Sequence, residues 1–212
     1  MSKGIHIIGA DKLFLNVRYN VPIYQRNYAW KSKEIEALLD DLYGAFLAEK
    51  KDYFLGNLIV NQTENEQFDV IDGQQRLTTL YLLHSYLHMG ISRDALRFEA
   101  REKSNRTLVM LNEHRSVNDL AEELVSSELN EGYKVIESYF KARHYSKEDY
   151  ITQFKRVHLV RVQVPQGIDL NHYFEIMNTC GEQLELHEIA KAKFLEVLIN
   201  DRDRHMYKIQ VL

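Results

Sequence analysis

Cysteine is nearly absent from this 212-residue chain: Cys180 is the only one, which excludes a disulfide framework and a thiolate-rich zinc site. Proline is almost as scarce, with Pro22 and Pro165 alone, and the nine glycines are scattered. Nothing resembles a flexible linker, a repeat or a low-complexity tract, so one continuous domain over residues 1–212 is the expectation. No apolar run approaches the ~20 residues that span a bilayer, and the opening MSKGIHIIGADK lacks the apolar stretch of a signal peptide. A cytoplasmic protein with no membrane partner is expected. Two familiar nucleotide-binding loops are also missing. There is no G-x-x-x-x-G-K-[ST] and no G-x-G-x-x-G, so any nucleotide would be held in neither the P-loop nor the Rossmann manner. His84 and His88 stand four apart without the glutamate of H-E-x-x-H, and Cys180 has no recognisable base beside it; neither a zinc protease nor a thiol nucleophile is indicated.

What is present is an ordinary globular balance, 45% hydrophobic and 27% charged, which excludes wholesale disorder. The net charge of -4 does not exclude a nucleic-acid partner, because binding needs a local basic surface rather than a basic total. Charge is uneven. Residues 112–131 hold Glu113, Asp119, Glu122, Glu123, Glu128 and Glu131 against Arg115 alone. Residues 134–161 hold Lys134, Lys141, Arg143, Lys147, Lys155, Arg156 and Arg161 against Glu137, Glu148 and Asp149. Solvated helix faces are the commoner cause of such runs.

The hydrophobic pattern predicts an α+β fold with a small sheet of about four or five strands. Lys12 to Tyr19 alternates, with Leu13, Leu15, Val17 and Tyr19 on one face, and reads as a strand. Ser32 is placed to cap a helix carrying Ile35, Leu38, Leu39, Leu42 and Phe46, with Glu34 favoured in its first turn. Tyr53 to Val60 and Phe68 to Ile71 read as paired strands joined by a loop over Asn61 to Glu66. Gln74 to Met89 is apolar on nearly every side and predicts a core helix. The middle of the chain leans helical, with a helix start at Ser146. Val157 to Val164 reads as a strand stopped by Pro165, and two last helices are expected from Asp169 to Met177 and from His187 to Asn200. The organisation expected is a sheet-rich core over 1–90, a helical insertion over 91–155, and a strand with closing helices over 156–212.

Three segments could carry chemistry. In Val70-Ile71-Asp72-Gly73-Gln74-Gln75-Arg76, a strand delivers an acid to its end, a glycine turns the chain, and a helix opens with two amides and an arginine. Free N–H groups at a helix start attract anions, and Arg76 adds a planar fork suited to phosphate. Asp72 is placed to hold a Mg²⁺ that bridges phosphates, and Gln74 and Gln75 could orient a water or read a base edge. The alternative is structural: Asp72 caps the helix and Arg76 pairs with it. The second segment, Val21 to Trp30, brings Tyr24, Gln25, Arg26, Tyr28 and Trp30 together, the combination that a stacked base and a phosphate require, although a tyrosine-rich core edge has the same composition. The third, Phe174 to Leu184, contains Asn178, Thr179 and Gly181 in a turn that ends a helix, with Lys191 on the helix that follows.

Taken in order, VPIYQRNYAW, YFLGNLIV, VIDGQQRLTTL and FEIMNTCGEQLELHEIAKA resemble the N-terminal domain of the GmrSD-type restriction endonucleases, over about Leu13 to Leu198. Asn27 and Ala29 stand where Pro and Ser are expected, and Cys180 where a basic residue is common. The resemblance implies a ParB/sulfiredoxin-like core and nucleotide binding and hydrolysis governed by the DGQQR box, within bacterial anti-phage systems that recognise modified DNA. It implies further that Asp72 contacts metal or phosphate, that Gly73 allows close backbone approach, and that Gln75 and Arg76 engage the phosphates. Tyr24, Gln25 and Arg26 would line the same cleft, with Asn178 and Lys191 as further members. From the residues themselves, Gln74 is added to the nucleotide contacts and Tyr28 and Trp30 are expected to meet nucleic acid. DNA is usually cut in such systems by a separate His-Asn-His nuclease domain, whose signature is not found here. The expectation is therefore a Mg²⁺-dependent NTP-hydrolysing sensor half with nucleotide, DNA and a nuclease domain as partners. Two rivals stay open: a DNA-binding module without turnover that uses the basic stretch and the Tyr24–Trp30 aromatics, and a metal-dependent nuclease with Asp72 and Glu175 on the metal.

Overall fold

The computed structural model describes residues 4–64, 66–115, 122–143 and 145–164. The chain divides into two compact units, Met1–Gln166 and Gly167–Leu212, and every described residue belongs to the first. The helices expected from Asp169 and from His187 lie outside the described residues.

The first unit is α+β. Its strands are β1 (Ile5–Gly9), β2 (Arg18–Val21), β3 (Tyr53–Glu64), β4 (Gln67–Asp72), β5 (Leu96–Phe98) and β6 (Val157–Gln163). Its helices are α1 (Ser32–Leu47), α2 (Gln74–Tyr86), α3 (Glu102–Asn112), α4 (Ser127–Arg143) and α5 (Lys147–Phe154). The strands form one sheet in the order β1-β6-β3-β4-β2-β5. It is mixed: β1 runs antiparallel to β6 and β3 antiparallel to β4, whereas β6–β3, β4–β2 and β2–β5 are parallel. Helix α2 packs against α3 and α4, and α4 against α1. Among the described residues, no helix is long and apolar enough to cross a membrane.

Several expectations hold in detail. β3 and β4 pair as expected, although both strands run on through most of the predicted loop, β3 to Glu64 and β4 from Gln67. Helix α2 is buried from Gln74 to Tyr86 except at Arg76, which is half-buried. Its two threonines survive in the core because the Thr78 and Thr79 hydroxyls donate to the Gln74 and Gln75 carbonyls, at 2.8 and 2.9 Å, so neither hydroxyl is stranded. Ser146 caps α5, its oxygen accepting the Asp149 N–H at 3.2 Å.

Other expectations need correction. Lys12 to Tyr19 is not a strand. Ala10–Lys12 is a 3-10 turn, and Asn16 takes a φ of 55°, a left-handed value that breaks an extended run. Leu13, Val17 and Tyr19 are still buried, but Leu15 faces solvent, so the alternation came from turns and the strand begins only at Arg18. The cap of α1 is Lys31, not Ser32: the Glu34 carboxylate reaches back to accept the Lys31 N–H at 2.9 Å. That bond is the main reason the Glu34 carboxyl titrates below its ordinary value. The sheet has six strands because two short edges, β1 and β5, escaped the pattern. β5 falls within the stretch read as a helical insertion and pairs with β2 through Leu96, Arg97 and Phe98.

His84 sits inside this core, fully buried, edge-on to Phe14 at 5.0 Å and near Phe154 at 5.4 Å. Burial is the larger influence on the ring and pushes its pKa from 6.5 to about 4, while the Ala10 backbone pulls weakly the other way. The unfolded chain therefore binds a proton that the folded chain refuses between those two values. Stability from this site is complete above pH 6.5 and is lost as pH falls towards 4, by about 3 kcal/mol in all. In His84→Leu, the acid-side loss of stability measured by denaturant melts at pH 7 and pH 4.5 is smaller than in the parent by most of that amount. Equal losses in the two proteins would refute the assignment.

Candidate functional site

β4 ends at Asp72, and the chain turns through Gly73 into α2. Gly73 has φ 88° and is the helix's N-cap, and it makes no side-chain cap bond. A Cβ here would lie 3.0 Å from the Asn57 carbonyl oxygen and 3.2 Å from a Leu58 methyl, so both its backbone angle and its closeness to β3 call for glycine. Asp72 is exposed. It neither caps α2 nor forms an ion pair with Arg76; among the described residues no carboxylate stands within ion-pair distance of that guanidinium. The structural alternative for the Asp72–Arg76 box is thus removed.

The guanidinium lies over Gly56 of β3. A Cβ at Gly56 would run into Arg76 Nη1 and come within 2.9 Å of its Cζ, and Gly56 has a φ of 139°. The β3–β6 register slips between Phe54 and Gly56, so the glycine sits at a bulge that brings bare backbone up to the arginine. Nη1 donates to the Asn57 carbonyl at 3.4 Å; the remaining N–H groups of Arg76 have no protein acceptor among the described residues. Nearby, the Tyr53 hydroxyl donates to Asp41 of α1. Burial, and then that carboxylate, push the Tyr53 phenol up, while the positive Arg76 draws it down.

Gln25, Asn27 and Ala29 of the Tyr24–Trp30 segment are bonded to this junction. Gln25 Nε2 donates to the Ile71 carbonyl at 2.7 Å, one residue before Asp72. The Gln75 amide grips the same segment twice: Oε1 accepts the Ala29 N–H at 2.8 Å and Nε2 donates to the Asn27 carbonyl at 3.0 Å. A side-chain amide here does the work of a neighbouring strand.

A sequence model of the family described as the GmrSD restriction endonuclease, N-terminal domain, matches residues 10–195. The chain belongs to that family. A search of curated proteins finds no match to it.

Three site expectations, for Gln75, Tyr28 and Trp30, change in the light of this geometry. Gln75 is buried, and both of its N–H bonds are used, the second on Gln74 Oε1 at 3.1 Å. As folded its side chain has no donor left for a phosphate, and that amide holds the Asn27–Ala29 backbone in place. Tyr28 offers no ring face for a base: it is 3% exposed, and its hydroxyl pairs with Thr79 Oγ1 at 2.9 Å. Burial is the first cause that pushes its phenol up to about 12. Trp30 is half-buried and opens onto a different cleft, of about 380 Å³ between α1 and α4, whose lining includes none of Asp72 to Arg76. Gln74 is buried with its Nε2 unpartnered. Tyr24 is 58% exposed and Arg26 is exposed, so both are open to a ligand. Asn178, Lys191 and Glu175 lie outside the described residues.

The basic stretch expected to serve DNA is largely committed to the fold. Arg143 pairs with Asp40 at 3.1 Å and lies 3.9 Å over the Tyr139 ring. Lys147 donates to the Tyr86 carbonyl at 2.8 Å, Lys141 pairs with Glu137 at 2.9 Å, and Arg161 lies 4.0 Å over the nearly inaccessible Phe68 ring. Four residues that sequence reasoning passed over matter to the site: Gly56 and Asn57 beneath Arg76, and Glu99 and Arg101, described below. A lone glycine inside an apolar strand run is itself a signal of close backbone approach; nothing comparable marked Glu99 or Arg101.

Proposed function

We propose that the chain is the nucleotide-binding, NTP-hydrolysing sensor domain of a modification-dependent restriction system, acting on DNA through a nuclease domain of the His-Asn-His kind. One observation carries this reading: a half-buried guanidinium seated on bare glycine backbone, without a carboxylate partner among the described residues, beside a helix start that no side chain caps. A half-buried guanidinium left without a carboxylate is free to receive an anion through charge-assisted, bidentate hydrogen bonds. Phosphate fits, because Arg76 presents a planar fork and the first N–H groups of α2 lie at the same junction.

Asp72 supplies one exposed carboxylate there. One carboxylate suits a Mg²⁺ that arrives on the nucleotide and keeps phosphate oxygens and waters as its other ligands. Asp72 would hold that ion, which neutralises phosphate charge; Arg76 and the α2 N–H groups would bind and orient the phosphates; and Tyr24 would offer its ring to the base. Hydrolysis in such a site draws on positioning and charge stabilisation rather than on a covalent nucleophile. Calorimetry of the purified chain with each nucleoside triphosphate and Mg²⁺, followed by phosphate-release assays, is expected to show saturable binding and slow turnover of at least one of them. Silence from all four in both assays would end this reading.

A further inference from the structure

Residues 22–31 contain no helix or strand, so their position is imposed by side chains. The Gln75 amide holds the far end of this segment and Gln25 ties its middle to Ile71. The tip is held from elsewhere, by the stretch between β5 and α3. Arg101, the N-cap residue of α3, donates through Nη2 to the Ile23 carbonyl at 3.1 Å and also to the Gln25 carbonyl. The Glu99 carboxylate accepts the Ile23 N–H at 2.9 Å, and the Glu99 N–H continues the β2–β5 ladder onto the Val21 carbonyl at 2.9 Å.

The platform beneath Arg101 is itself braced. The Asn105 amide brackets Phe98, accepting its N–H at 2.7 Å and donating to its carbonyl at 2.8 Å. The Arg101 guanidinium lies 5.8 Å from the Phe98 ring centroid. Both carbonyls are bound by the two N–H groups of one nitrogen, Nη2, which the planar guanidinium holds at a fixed angle. The other, Nη1, is buried without a partner.

The consequence falls on Tyr24. It sits between the two carbonyls that Arg101 binds and projects its ring outwards, 58% exposed. Burial is the larger cause that raises its phenol, followed by Asp69 and Glu99. An exposed aromatic on an irregular loop is a poor stacking platform unless the loop is rigid, because ordering it on binding would cancel the gain. This turn is already ordered, and its own Gln25 bonds the Ile71 carbonyl, one residue before Asp72.

Resting on the nucleotide reading above, we propose that Arg101, assisted by Glu99, is a positioning residue of the nucleotide site, fixing the Ile23–Gln25 turn so that Tyr24 presents its ring to the base. The role is binding rather than chemistry, so its loss raises KM and spares kcat.

The test is steady-state hydrolysis by the full chain of whichever triphosphate the wild type turns over. Arg101→Ala is expected to raise KM about tenfold with kcat within about twofold, the scale of one lost base–aromatic stack. Arg101→Lys keeps several donors on one nitrogen but loses their fixed plane, so it is expected to raise KM by less than Arg101→Ala, and it stands in should the alanine variant fail to fold. Glu99→Gln raises KM by less. Tyr24→Ala reproduces the arginine variant's KM, and the double variant Tyr24→Ala/Arg101→Ala is no worse than Tyr24→Ala alone, because both remove one interaction. Arg106→Ala, an exposed residue on the same helix, leaves both constants unchanged. An unchanged KM in Arg101→Ala, or additive effects in the double variant, overturns the positioning role while leaving the nucleotide reading standing. A wild-type chain that binds no nucleotide removes both.

Discussion

Arg76→Ala is expected to keep its fold and to lose at least ~100-fold in NTP turnover. The two halves of this expectation have separate grounds. The fold does not depend on the guanidinium: its one protein hydrogen bond is long, 3.4 Å to the Asn57 carbonyl, and it has no ion-pair partner among the described residues. Its removal should cost less than about 1 kcal/mol. Turnover does depend on it, because removal of one preorganised donor from a developing phosphate charge costs a factor of roughly 10²–10³. Arg76→Lys should fare nearly as badly, since a point charge on a flexible stem replaces a fork seated on Gly56. Asp72→Ala belongs to the same set. Gly73 starts α2 without help from the Asp72 side chain, so the variant folds while the Mg²⁺-bearing phosphates lose their carboxylate. The measurement is phosphate release by each purified variant beside its thermal midpoint; undiminished turnover in Arg76→Ala and Asp72→Ala, with midpoints unchanged, would show that the box serves something other than hydrolysis.

The parts of this architecture that were legible in advance are those whose signal is local. Strands β3, β4 and β6 are runs of apolar residues long enough to declare themselves, and α2 is apolar on so many sides that only a core helix accommodates it. The Ser146 cap is a side chain three residues from the N–H it satisfies. The DGQQR box could be read because strand end, glycine pivot and helix start all fall within seven consecutive residues. What stayed hidden was set by distant partners. β1 and β5 are short edges whose identity comes from β6 and β2. Leu13 and Val17 are buried by the fold around them, not by a strand of their own, and the left-handed Asn16 between them carries no mark that distinguishes it from any other asparagine.

The same division runs through the site. Tyr28 and Trp30 look alike in composition to Tyr24, yet one faces Thr79 in the core and the other a separate cleft. Gln75 reads as a ligand contact until Asn27 and Ala29 are seen 48 and 46 residues away in sequence on its amide. Composition says which side chains could meet a nucleotide; only the long-range bonds say which of them are already occupied.

Gly56→Ala gives the sharpest separation between geometry and chemistry, because it alters the site without touching a polar group. The position has φ 139° and lies directly beneath the Arg76 guanidinium. An alanine there faces two demands at once. Its backbone must hold a conformation that side-chain-bearing residues avoid, at a cost of about 1–3 kcal/mol, and its methyl must displace Arg76 or push β3 away from β6 at the Phe54–Gly56 bulge. Together these should lower unfolding stability by about 3 kcal/mol or more in denaturant melts. The arginine yields before the sheet does, since a guanidinium with one weak protein bond is easier to move than a strand paired on both sides. Turnover should therefore fall by roughly the same ~100-fold as in Arg76→Ala, and the double variant Gly56→Ala/Arg76→Ala should be no slower than either single one, because both changes remove the same donor. The double variant should also regain part of the lost stability, since with the guanidinium gone the methyl has room and only the backbone strain remains. A double variant as unstable as Gly56→Ala, or a Gly56→Ala chain that hydrolyses NTP at the parent's rate, would mean that the bulge glycine shapes β3 for its own sake and that Arg76 does not need its bare floor.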